Sequence, residues 1–138
     1  MILDKQNLLS EDQAVTASAA STNVIDLGAV DSAVPGHKKL GRRGRIVVRV
    51  SGAADFATLT SLVVTLRTDT VANMASPTTV LSGEITAAAA LVPGAVLLDV
   101  PVPQSVDERY MDVYYTVAGS DATAGAVTAG ITFDEQID

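Results

Sequence analysis

The feature that most constrains this chain is a period of two that recurs along its length. In RIVVRV, Ile46, Val48 and Val50 fall on one face and Arg45, Val47 and Arg49 on the other. SLVVTLRT repeats it, with Leu62, Val64 and Leu66 inward and Thr65 and Arg67 outward. Near the C-terminus Met111, Val113, Tyr115 and Val117 alternate with Tyr110, Asp112, Tyr114 and Thr116, and VTAGITFD offers Val127, Ala129, Ile131 and Phe133 to a core. With two Phe, three Tyr and no Trp, that core must be built from small β-branched side chains, which suit pleated sheet. Ten glycines and five prolines break the runs at short intervals, the rhythm of an all-β sandwich or barrel.

The remaining segments fill in the order. Residues 1–11 read as an N-terminal arm carrying apolar studs, and residues 12–138 as one β-sandwich domain with no dividing linker. Short strands are expected at roughly 12–18 and 22–28, a loop over VDSAVPGHKKLGRRG, a loop over DTVANMASPTT and a strand in TVLSGEIT. TAAAALVPG allows one helical turn before Pro93 and Gly94 stop it, and VLLDVPV is a strand whose prolines mark a sheet edge or strand end. About eight antiparallel strands of this length make a jelly-roll-like sandwich.

Composition narrows the function. The chain has no cysteine, so neither disulfides nor a thiolate metal site hold it. The uncharged run between Glu84 and Asp99, which no other exceeds in length, is split by Pro93–Gly94 and falls short of the about 20 apolar residues that span a bilayer, and MILDKQNLLSEDQ lacks the pattern of a secretory signal. A soluble, intracellular product without a membrane partner is expected. A net charge of −7 disfavours nucleic acid as a partner. Against that acidic background, Lys38, Lys39, Arg42, Arg43, Arg45 and Arg49 form one basic segment without an acid among them. No aromatic is interleaved for base stacking, so the basic loop suits an acidic protein surface, or else is simply solvated.

Catalytic patterns are missing. His37, the one histidine, sits beside two lysines that lower its affinity for a proton or a metal, and no G-x-S-x-G elbow is present. Acids cluster at Asp107, Glu108 and Asp112 and at Asp134, Glu135 and Asp138, without the ligand spacing of a calcium loop, and they read as solvated strand ends. No enzyme activity, cofactor or metal site is expected. Tyr110, Asp112 and Tyr114 share one outward face, which offers an alternative reading as a carbohydrate- or receptor-binding module.

Segments along nearly the whole chain, in order, resemble the small capsid cement (decoration) proteins of tailed phages. They are the start MILDK, then DQAVT, STN and IDLG, then LVVTLRTDTVANMASPTTVL, ERYMDVYYTVAG and TAGAVTAGITFDEQ. The chain departs from the pattern at GHKKLGRRG, which is more basic. The resemblance implies a jelly-roll-like sandwich bound as oligomers, dimers before trimers, to the outside of an icosahedral phage shell. Its partners would be the major capsid protein and further copies of itself. It would be made in the cytoplasm of the bacterial host, reside in the virion and have no enzymatic activity. Eleven arm residues, extended, would reach roughly 35 Å. Ile2, Leu3, Lys5, Leu8 and Leu9 of the arm and Lys38, Lys39, Arg42 and Arg43 of the loop are therefore the candidate protein contacts.

Overall fold

Alternation of small apolar and polar residues produces strands here and little else. The computed structural model describes residues 5–28, 44–103 and 108–133. After a 3-10 turn, Lys5–Asn7, come β1 (Leu8–Ala14), β2 (Ala19–Ala20), β3 (Ile25–Asp26), β4 (Arg45–Ser51), β5 (Ala57–Asp69), β6 (Thr78–Ser82) and β7 (Thr86–Ala87). A second 3-10 turn, Ala88–Ala90, precedes β8 (Val96–Pro101), β9 (Tyr110–Ala124) and β10 (Ala126–Thr132). They form a four-stranded sheet, β1-β10-β4-β8, and a six-stranded one, β2-β9-β5-β6, with β3 also on β9 and β7 also on β5. All pairings are antiparallel.

Counting β2 with β3 and β6 with β7 as single positions, the chain pairs first with last, second with seventh, third with sixth and fourth with fifth. That is one long hairpin rolled into two sheets, the jelly-roll arrangement. The sequence pattern had implied it.

The inward faces meet as expected. Ile46, Val48, Val50, Leu62, Val64, Leu66, Met111, Val113, Val127, Ala129 and Ile131 are buried in one cluster. Each of these valine, leucine, isoleucine and methionine side chains contributes on the order of 1.5–3 kcal/mol for its removal from water. Tyr115 is also fully buried, and its hydroxyl ties the sheets together. It lies 2.8 Å from Ser10 Oγ, which itself donates to Gln13 Oε1 at 2.6 Å, so the phenol is the donor to Ser10. Gln13 Oε1 also accepts from Thr22 N–H, and its Nε2 donates to Ala20 O, which closes the side where the chain crosses between sheets. Burial pushes the Tyr115 hydroxyl up to about 12; the Ser10 contact opposes this and the Asp112 charge adds to it.

β8 is an edge strand, as its prolines indicated. Val102 N–H donates to Gly44 O at 2.8 Å, so Val100 and Leu98 turn their backbone toward β4 while Asp99 and Pro101 turn theirs outward. Proline has no N–H to leave unpaired, and Arg45 donates to Asp99 O at 3.1 Å. The edge is thereby blunted against pairing with another strand.

Several expectations need correction. Residues 8–11 of the expected arm belong to β1, which pairs with β10, and Leu9 is fully buried in the core. The strands expected at 12–18 and 22–28 are Leu8–Ala14, Ala19–Ala20 and Ile25–Asp26. The expected loop 69–79 is shorter, because β5 runs through Asp69 and β6 begins at Thr78. Phe133 lies past the last β4–β10 pair, Thr132 with Arg45, and is 46% exposed rather than in the core. Val47, on the outward face of β4, is nonetheless buried.

Candidate functional site

The face bearing Tyr110, Asp112 and Tyr114 is the outer side of the six-stranded sheet, and antiparallel register decides what stands beside each residue. Asp69 pairs with Tyr110, Arg67 with Asp112 and Thr65 with Tyr114. Arg67 Nε donates to Asp112 Oδ1 at 2.9 Å, and a terminal nitrogen donates to Oδ2. The Asp112 side chain is 1% exposed and that of Arg67 16%, so this fork-to-fork pair is largely cut off from water. The same guanidinium lies 4.4 Å from the centroid of the Tyr114 ring.

Arg109 repeats the theme at the strand's beginning. It makes two 2.9 Å bonds to Asp26 and lies 5.2 Å from the Tyr110 ring centroid. The bonds Arg109 donates to Asp26, then the charge of Asp26 and that of Tyr110, raise the Arg109 pKa. The alternation therefore places the three residues on one face, and the cross-strand neighbours occupy them: the Asp112 carboxylate is covered by Arg67, and each tyrosine carries a cation against its ring. A ligand that used Asp112 as an acceptor would first have to displace Arg67.

At the same end of the sheet, one carboxylate gathers the backbone of the β5–β6 connection. Asp69 Oδ2 accepts from Ser76 N–H at 2.8 Å, and Oδ1 from Val71 N–H at 3.2 Å and the Thr70 hydroxyl at 3.4 Å. Met74 N–H closes a turn onto Val71 O, with Met74 at φ 51. The Ser76 bond above all lowers the Asp69 pKa, with smaller contributions from Val71 and Thr70 and an opposing one from burial. The loop carries no charge between Thr70 and Pro77 and presents Val71, 45% exposed.

Of the candidate contacts, Lys5 is exposed in the first 3-10 turn and Leu8 is half-buried in β1. Leu9 is a core residue and offers no contact. Ile2, Leu3, Lys38, Lys39, Arg42 and Arg43, like His37, lie outside the described residues. Sequence reasoning missed the exposed apolar residues Val71, Ile85, Val92 and Val96. The available signal was their position in or beside turn segments, or for Val96 at the very start of β8.

Polar residues in the motif segments are largely consumed by the fold. Gln13 of DQAVT holds Ala20 and Thr22; Ser21 of STN accepts Val113 N–H and donates to Asn23 O; Asp26 of IDLG pairs with Arg109 of ERY. Glu108 of the same segment accepts from the Thr68 hydroxyl at 2.9 Å. Among the described residues no group of His, Cys, Asp and Glu is arranged to hold a metal ion, and no helix is long and apolar enough to cross a membrane.

Among curated proteins none matches the chain. The family model Bbp16 matches residues 9–131, from the buried Leu9 to Ile131 near the end of β10, and so spans every strand of the jelly roll. The chain belongs to the Bbp16 family.

Proposed function

We propose that this protein is a cement, or decoration, protein of a tailed-phage virion, which binds the outside of an icosahedral shell and strengthens contacts between major capsid subunits. It acts by binding, not by catalysis, and needs no cofactor. The observation that carries the reading is the in-order run of segments, from MILDK to TAGITFDEQ, that resembles the cement family over nearly the whole chain. A rigid jelly roll whose motif polar groups are spent on its own hydrogen bonds supports it, since such a body has its outer surface left to offer to other subunits.

The physical task suits modest contacts. Packaged genome presses a shell outward, and many copies linked around a closed lattice add their individual binding energies multivalently. Each stable interface needs on the order of 1,000–2,000 Å² of buried surface. Basic residues Lys38, Lys39, Arg42 and Arg43 are assigned to acidic ground on the major capsid protein or a neighbouring copy.

The test is to add purified protein to expanded shells that lack it and measure occupancy and heat resistance. Saturable binding, with shells that withstand higher temperature before releasing their contents, is the expected result. Serine at those four basic positions is expected to lower occupancy, and the wild type is expected to bind less as salt rises. Shells that ignore the protein at any concentration would overturn the reading.

A further inference from the structure

The segment that crosses from the edge of the six-stranded sheet to the edge of the four-stranded one keeps several apolar residues outside. After β6, Gly83 N–H donates to Val64 O, and a Cβ on Gly83 would lie 3.6 Å from Leu98 Cδ1, so the β6–β7 link abuts β8. The chain then passes through β7 and the second 3-10 turn and sends Leu91 fully into the core. It reaches β8 by a turn in which Gly94 N–H donates to Val50 O and Val50 N–H to Ala95 O. Residues 83–97 thereby form the flank of the sandwich on which the edge strands β6 and β8 come together.

Among the described residues six large hydrophobic side chains are exposed, and three of them stand on this flank: Ile85 at 75%, Val96 at 50% and Val92 at 41%. Beside them Leu97 is half-buried, left without an opposite residue by the register shift in the β4–β8 ladder. The core takes Leu91 and Leu98 from the same segment, so the fold has no need of an apolar side chain at Ile85 or Val96. Single exposed hydrophobic residues are ordinary on a protein surface, whereas a group of them on one flank marks a contact.

The charges around the group select the partner. No lysine or arginine stands between Arg67 and Arg109 in the sequence. Glu84 adjoins Ile85, and Asp55 adjoins Phe56, whose N–H donates to Leu91 O next to Val92. Both acids are exposed and neither is in an ion pair, whereas Asp99 of β8 is already held by Arg45. Among the described residues the cation bordering the flank is Arg49, opposite Val96 in the ladder, and its Nε is closed to solvent. An acidic surface would be repelled by Glu84 and Asp55; an apolar patch with lysine or arginine at its rim complements both the centre and the edge of the flank.

We propose that this flank, centred on Ile85 and Val96, docks on a folded protein whose contact patch is apolar and rimmed by lysine or arginine. The partner is the shell subunit, and for that identity the inference rests on the proposed function. It adds a contact that the basic segment does not supply: an apolar centre to be removed from water, with charge of the opposite sign at its edge.

The test measures occupancy of expanded shells that lack the protein against its free concentration. Ile85→Lys is expected to bind about tenfold or more weakly than the wild type, and Glu84→Lys about threefold or more weakly. Val24→Lys is the control: Val24 is 37% exposed between β2 and β3, at the opposite edge of the six-stranded sheet, and the variant should bind within about twofold of the wild type. Ile85→Cys, the sole thiol in a chain without cysteine, gives a second readout if a lysine variant misfolds. Its reaction with a maleimide should slow about tenfold or more when the protein is on the shell. Wild type that binds while Ile85→Lys binds equally well, Val24→Lys that is as harmful as Ile85→Lys, or a bound Ile85→Cys that labels at the free rate overturns this inference and leaves the cement reading standing. Wild type that ignores the shells overturns both.

Discussion

Replacing Arg67 with leucine tests how the outer face of the six-stranded sheet is stabilised. The change leaves the Asp112 carboxylate, 1% exposed, without the two N–H donors and the positive charge that compensate its burial. Removing one partner of a buried pair costs about 3–5 kcal/mol, because an uncompensated charge stays behind. Against a total stability of about 5–15 kcal/mol, that is roughly 30–50% of the fold's margin at mid-range. Asp112→Asn should cost less, about 1.5–3 kcal/mol, since a neutral amide still accepts from Arg67. Replacing both residues with leucine should recover most of the loss, because neither charge then needs a partner. Urea denaturation at pH 7 followed by circular dichroism, at a concentration where every variant is monomeric, gives the cycle directly. The reasoning is refuted if Arg67→Leu costs less than about 1 kcal/mol, or if the double variant loses the sum of the single ones.

Four further outcomes are expected. Leu9→Ala should lower stability by about 2–5 kcal/mol in urea denaturation, as befits a core residue and not a contact of a loose arm. Asp69 is held below its ordinary carboxyl value, so its contribution is fully present above the unfolded value of 3.8 and is lost as pH falls through the lower native one; acid titration of stability should be shallower in Asp69→Asn. Tyr115 is pushed up to about 12, so its share of stability is complete below pH 10 and fades as pH rises toward 12; phenolate absorbance should show a late step that Tyr115→Phe removes. Gly125→Ala should be strongly destabilising by thermal melting, because φ is +117 and a Cβ would lie 2.4 Å from the Phe56 ring.

Where small apolar residues recur at every second position, the sequence already displayed the structure. Ile46, Val48 and Val50, like Met111, Val113 and Tyr115, alternate without interruption and are buried as the pattern required. The start of β1 was hidden because Asp12, at φ 44, forms a bulge that shifts the register between Ser10 and Gln13 and breaks the period. GSDATAG has the composition of a loop, yet β9 continues through it to Ala124; Gly119 takes a positive φ there, and Ala122 is buried with its N–H bonded to Thr16 O. Phe133 was misassigned because alternation was extended one residue beyond the final ladder pair.

The candidate face was half legible for a related reason. Period two placed Asp112 beside Tyr110 and Tyr114, but what covers a residue on a sheet is set by the neighbouring strand. Arg67 is 45 positions away, and its register with Asp112 depends on the β5–β9 pairing as a whole.

Cryo-electron microscopy of virions that contain this protein addresses the central claim most directly. The account predicts one jelly roll per binding position on the exterior of the shell, bridging neighbouring capsid subunits, and bare positions with leakier particles when the protein is omitted. Density for the protein confined to the tail or the shell interior, or omission that leaves both the exterior map and particle toughness unchanged, would contradict it.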